Sequence, residues 1–150
     1  MIIRKTLFEH KEIPSDSKIV LFNSLSYQFT ESQAKEIDRL HHLRAGLLKK
    51  YPIGGGYYFR RCLQVENVIT IPVKSVDWGS VTQKDIEQAL TNLCSYCREN
   101  NLRSLVFAKQ ACSEDVDWLY VYNSIRRIFE EAPVEIYILS DEKAEMSKVS

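Results

Sequence analysis

The chain has 150 residues, 45% of them hydrophobic, which is enough for one core and too few for two ordinary domains. Lysine plus arginine and aspartate plus glutamate number 20 each, which excludes a global field drawing the chain to nucleic acid or an anionic membrane; any such contact has to come from a local patch. The opening "MIIRKTLFEHKEIP" has no apolar signal-peptide region and no run reaches the length of a membrane span, so the expected setting is soluble and intracellular, cytoplasmic or nuclear, with no membrane partner.

In chain order, "IIRKTLF" reads as a first strand and "PSDS" as a turn into a second, "KIVLFNS". "TESQAKEIDRLHHLRAGLLKKYP" reads as one helix. Thr30 with Gln33 has the spacing of a capping box, Ile37, Leu40, Leu43 and Leu47 form an apolar face, and Pro52 stops it. Two strand-like runs follow Gly54 to Gly56, "YYFRRCLQV" and "VITIPV", and Glu66 and Asn67 between them suit a hairpin. A second helix starts at Thr82, capped with Asp85, and runs to about Asn100. "LRSLVFAK" is a strand, Asp115 to Glu131 a helix with Trp118, Val121, Tyr122, Ile125, Ile128 and Phe129 on its core side, and "VEIYIL" a final strand.

The order β-β-α-β-β-α-β-α-β implies helices covering both faces of a mixed sheet: α/β class, a three-layer α/β/α sandwich whose later, near-continuously apolar strands are parallel and central. Residues 1–140 are expected to form a single domain, and 141–150 a polar C-terminal tail. Cys94 and Cys97 form a C-x-x-C, but they fall on the stripe Ile86, Ala89, Leu90, Leu93, Cys94, Cys97, the buried face of a helix. Cys62 gives no second metal-spaced pair, the adjacent His41 and His42 point about 100° apart on a helix, and His10 has no spaced partner. Neither a metal site nor a cofactor is expected.

The stretch "VFAKQACSEDVDW" runs from an apolar strand through a short loop into a helix. At such junctions of α/β proteins, backbone amides often hold phosphate. Here the loop has no glycine and three carboxylates, Glu114, Asp115 and Asp117, which occupy the positive end of the helix that a phosphate would otherwise use.

This strand, loop, "DW", amphipathic helix and "VEIYIL", together with "VITIPVK" and "TQKDIEQALTNLCSYCRENNLRSLVF", resembles the macro domain, a module that binds ADP-ribose. The likeness is to the branch with terminal ADP-ribose protein glycohydrolases and the bacterial enzymes that remove ADP-ribose from DNA. It covers roughly Val68 to Leu139.

The resemblance implies a macro-domain-like sandwich recognising ADP-ribose or a related nucleotide. Lys74 stands in the position of that branch's lysine nucleophile, and Glu114, in a gapless match, in that of its catalytic carboxylate; pairing the cysteines instead moves that role to Asp115 or Asp117. Thr6 stands where the family carries an adenine-binding aspartate, and Asn23 and Ser24 lie where a polar residue meets the distal ribose. In the second phosphate loop Gln110 and Cys112 replace glycines, beside Ser113 and Asp115. "RAGLLKKYP" resembles the family's glycine-containing helix start, at the expense of reading Ser26 to His42 as an insertion.

"GGGYYFRR" admits two readings: a loop offering Tyr57, Tyr58, Phe59, Arg60 and Arg61 to single-stranded nucleic acid, or a turn into a strand with alternating aromatics. The functional expectation is accordingly twofold. One is nucleotide recognition with removal of ADP-ribose through Lys74. The other is a degenerate, non-catalytic macro-like domain that binds a protein or nucleic acid.

Overall fold

The structure, a computed structural model, describes residues 2–6, 13–54, 56–75 and 79–140, the first of these segments as backbone only. Leu7, Phe8, His10 and the tail 141–150 lie outside the described residues. The strands are β1 (Ile2–Thr6), β2 (Lys18–Ser24), β3 (Leu63–Val65), β4 (Val68–Lys74), β5 (Ser104–Ala108) and β6 (Glu135–Ser140). The helices are α1 (Ser32–His41), α2 (Leu43–Lys50), α3 (Gln83–Glu99) and α4 (Trp118–Ile128).

The sheet order is β1-β6-β5-β2-β4-β3, parallel throughout except for β3, which returns along β4 as an antiparallel edge. Alternation along the strands sends side chains to two cores. Val20, Phe22, Ile69, Ile71 and Phe107 meet α3 and α4, while Leu21, Val68 and Ala108 meet α1 and α2 through Ile37, Leu43 and Leu47. The protein is therefore a three-layer α/β/α sandwich around a mixed, mostly parallel sheet.

Helix α3 follows its sequence pattern throughout. Thr82 Oγ1 accepts from Asp85 N–H at 3.2 Å and Asp85 Oδ2 from Thr82 N–H at 2.9 Å, and the whole Ile86 to Cys97 stripe is buried. Burial pushes the Cys97 thiol up to about 12, as it does Cys62, so both behave as apolar core atoms.

The helix expected from Thr30 to Pro52 is two. His42 adopts φ 49° and ψ 46°, the left-handed region, which closes α1 and turns the chain into α2; Asp38 Oδ1 accepts the Arg44 N–H at 2.7 Å across the break. The break moves Leu40 off the apolar face, and it is 59% exposed. Thr30 and Gln33 do not form the capping box: Glu31 is the N-cap, its carboxylate accepting from Ala34 N–H at 2.9 Å.

Gly46 lies inside α2 and is no loop glycine. A Cβ there would stand 2.6 Å from Val65 Cγ1, so the glycine lets α2 approach β3, and Ser26 to His42 comprises the β2–α1 loop and α1. Tyr57 to Arg61, expected at least partly as strand, is a run of turns, and Arg60 has φ 63°. Helix α4 starts at Trp118, three residues later than expected, with Asp117 as N-cap, so Glu114 and Asp115 lie in the loop before it and not in its first turn.

Candidate functional site

Because β2 and β4 are parallel neighbours, their carboxyl ends emerge side by side. The register slips there, with Asn23 opposite Pro72 and Ser24 opposite Lys74, and the Pro72 carbonyl, beyond the edge of β3, accepts from Arg60 N–H at 2.7 Å. Open parallel sheets bind ligands at this end. The loop between β5 and α4 forms the third wall, and Phe22, Val73 and Ile86 the apolar floor.

The resulting crevice gathers Asn23, Ser24, Lys74, Cys112, Glu114 and Asp115. Lys74 Nζ pairs with Asp115 Oδ2 at 2.9 Å, with the lysine side chain 13% and the aspartate 37% exposed. Glu114 Oε1 accepts from Thr30 Oγ1 at 2.8 Å. Asn23 is 5% exposed, and neither its Nδ2 nor its Oδ1 has a partner among the described residues. Buried amides are almost always satisfied, so this one departs from the rule with both a donor and an acceptor group unpaired.

Ser24 Oγ lies 2.9 Å from Ser26 Oγ. Ser113 does not join the lining; its hydroxyl donates to the Lys109 carbonyl at 2.7 Å. Cys112 lines the crevice, but its Sγ points to the Val20 carbonyl at 3.5 Å and burial pushes its thiol far up, so it offers a neutral wall and no thiolate. Thr6 ends β1 opposite Ser140, and its side chain lies outside the described residues. Gln110 donates its N–H to Gln33 Oε1 at 2.9 Å. Among the described residues no His, Cys, Asp or Glu group is placed to hold a metal ion.

The residues that sequence reading did not assign to the site are Gln28 and Thr30, from the β2–α1 loop, and Gln33, from the first turn of α1. Gln28 and Thr30 line the crevice, and Gln33 reaches 77 residues along the chain to the opposite loop. The loop that carries Gln28 and Thr30 also holds Tyr27, which is fully buried at φ 59° and donates its hydroxyl to the Tyr51 carbonyl at 2.8 Å. A bulky residue in the left-handed region is rare and strained, and no sequence rule points to it.

The crevice holds about 40 Å³ of free space, room for a few water molecules at about 10–15 Å³ each. A second, open groove of about 780 Å³ lies on the outer side of β3 and α3, where Arg61 stacks on Tyr57 at 4.7 Å and Tyr57 is 67% exposed. Arg60 also lines this groove, and grips Asp85 with Nε at 3.0 Å and Nη2 at 2.5 Å.

This architecture has clear counterparts among solved structures. The macrodomain of Mycobacterium tuberculosis DarG superposes with a TM-score of 0.72 at 16% identity, over 93% of this chain and 97% of that one. The fold is that of the macro domain. The macrodomain of Thermus aquaticus DarG gives 0.65 at 16% identity, over 92% and 95% of the two chains. Thermosipho africanus DarTG, solved in complex with ADP-ribose, gives 0.61 at 15%, over 86% of this chain and 39% of that longer one. No protein-family model and no curated protein sequence matches the chain. At such identities the likeness concerns the macro fold alone.

Among the described residues, no helix of this macro-fold protein is long and apolar enough to cross a membrane.

Proposed function

We propose that the crevice recognises ADP-ribose or a related nucleotide through a ribosyl group, with Asn23 as the residue that reads it. The observation that carries this is the Asn23 carboxamide, buried, unpartnered and set at the carboxyl end of β2 where the sheet opens. A vicinal pair of ribose hydroxyls both donates and accepts, and so matches an amide that offers one of each. The macro fold supports the same ligand class, since a DarTG of this fold has been solved with ADP-ribose.

The test is calorimetric titration with ADP-ribose of the wild-type chain and of Asn23→Ala. A saturable heat in the micromolar to millimolar range, about 8 to 4 kcal/mol, that vanishes in the variant supports the reading. Equal binding by both proteins, or none by the wild type, refutes it.

Removal of ADP-ribose from a macromolecule is the catalytic extension of this proposal. Lys74, after passing a proton to Asp115 2.9 Å away, attacks the anomeric carbon, and the glycosidic bond breaks with its electron pair leaving on the departing group. The proton taken up from Lys74 passes from the carboxylate pair, Asp115 or Glu114, to that group, and water then releases the sugar from the lysine. Activity unchanged in Lys74→Ala would remove this extension and leave recognition untouched.

The second reading is a non-catalytic domain that binds a protein or nucleic acid. It is favoured by the exposed Tyr57 with Arg61 stacked on it in the outer groove. Binding of a single-stranded oligonucleotide or a protein that is lost in Tyr57→Ala and kept in Asn23→Ala supports this reading over the first.

A further inference from the structure

The loop after β5 reaches the crevice with its backbone amides already engaged. Gln33 Oε1 accepts from the N–H groups of Gln110 at 2.9 Å and Ala111 at 3.2 Å. Its Nε2 donates to the Leu139 carbonyl at 3.0 Å, so both ends of the carboxamide are engaged. The next two amides turn back into the loop, Cys112 N–H to the Lys109 carbonyl at 3.2 Å and Ser113 N–H to the Gln110 carbonyl at 3.4 Å. Four successive donors that could face an anion are thus spent within the protein.

The charges point the same way. Glu114 and Asp115 line the crevice against a single lysine, Lys74, and Thr30 Oγ1 ties Glu114 to the segment just before α1 at 2.8 Å. Among the described residues, the one buried polar group lining the crevice with its hydrogen bonds unmade is neutral, the Asn23 carboxamide, 5% exposed. A carboxamide oxygen on two amides does what a phosphate oxygen would do there, without the charge.

We infer that Gln33 is a specificity-determining residue: its side chain occupies the amides of the β5–α4 loop, closes the crevice to a diphosphate, and leaves it for an uncharged ribosyl group. This deepens the function proposed above and rests on it. A ligand carrying a diphosphate has to displace Gln33 from three hydrogen bonds, whereas a nucleoside does not.

The experiment compares adenosine with ADP-ribose by calorimetry on the wild type, Gln33→Ala and Gln33→Glu, each checked for a cooperative melt. The wild type is expected to bind the two ligands within about threefold of each other. Gln33→Ala, which frees both amides, is expected to gain tenfold or more for ADP-ribose while adenosine is unchanged. Gln33→Glu keeps an acceptor on the amides and adds a charge, so it is expected to show no such gain, and it retains the test if the alanine variant fails to fold.

A wild type that already prefers ADP-ribose tenfold, a folded Gln33→Ala with an unchanged ratio, or a gain in Gln33→Glu overturns the assignment of Gln33 while leaving ribosyl recognition in place. Absence of binding of either ligand by all three proteins overturns the ribosyl reading, and this inference with it.

Discussion

Replacing Asn23 with leucine should stabilise the protein while abolishing ligand binding. Leucine has the same branched heavy-atom skeleton as asparagine but no polar atoms to satisfy. In the fold, Asn23 is 5% exposed and both amide atoms lack partners, and each buried group left unsatisfied costs about 1–3 kcal/mol. The extra bulk of leucine's methyl groups has the adjoining crevice to enter, about 40 Å³ of free space. Some overpacking offsets the gain, so a net stabilisation of about 1–3 kcal/mol is expected. For a chain of this size that raises the melting temperature by about 2–12 °C. The assay is thermal unfolding followed by circular dichroism, with urea unfolding to check that the slope is unchanged. Asn23→Ala, which removes the same polar atoms but leaves a cavity, should fall near the wild type. A leucine variant that melts lower than the wild type refutes the reasoning, because it means that the Asn23 amide is satisfied in the folded protein and is not held ready for a ligand.

Gly46→Ala should lower the urea midpoint by an amount equivalent to about 1–3 kcal/mol, since the new methyl meets Val65 Cγ1 at 2.6 Å and α2 must shift from β3; an unchanged midpoint would show that the helix yields freely. Burial pushes the Asp85 carboxyl up, but the hydrogen bonds from Thr82 and the Arg60 guanidinium outweigh it and hold its pKa below the usual carboxylate range. Its contribution to stability is therefore complete above the unfolded value, about 3.9, and is lost as pH falls below that toward the folded value. Urea midpoints measured down through pH 4 should accordingly fall more steeply in the wild type than in Asp85→Asn. Tyr27→Phe should cost about 1 kcal/mol through loss of the hydrogen bond to the Tyr51 carbonyl, read from the same unfolding curves.

What the sequence made legible is what short-range physics decides. Helix α3 has its capping box three residues apart and its stripe at a period of 3.6, and both appear in the fold as read. The Glu66–Asn67 hairpin between β3 and β4 and the near-continuously apolar β4 and β5 were equally local signals. The split at His42 was not, because the apolar spacing of Ile37, Leu43 and Leu47 continues across it and a left-handed histidine leaves no mark in composition. Thr30 and Gln33 matched a capping box in spacing, yet their partners are Glu114, Gln110, Ala111 and Leu139, between 77 and 106 residues away. A local rule cannot anticipate a tertiary partner.

The candidate site follows the same division. Lys74, Asn23 and Glu114, named through the family resemblance, lie at strand ends and in a loop that line one crevice. The missing glycines were legible too, but their consequence was not. A glycine loop lets amides approach a ligand because no Cβ intervenes and positive φ is free. This chain reaches a positive φ with Tyr27, anchoring the strained residue through a buried ring and a hydroxyl bond, and it gives the amides of the opposite loop to Gln33. Asp117, meanwhile, caps the start of α4 with its own carboxylate, accepting the Leu119 N–H at 3.1 Å. Loop amides and helix end are both satisfied from within, by a carboxamide and a carboxylate. If the crevice takes the ribosyl ligand proposed for it, binding energy must then come from Asn23 and the apolar floor, or from displacing side chains that already make good hydrogen bonds.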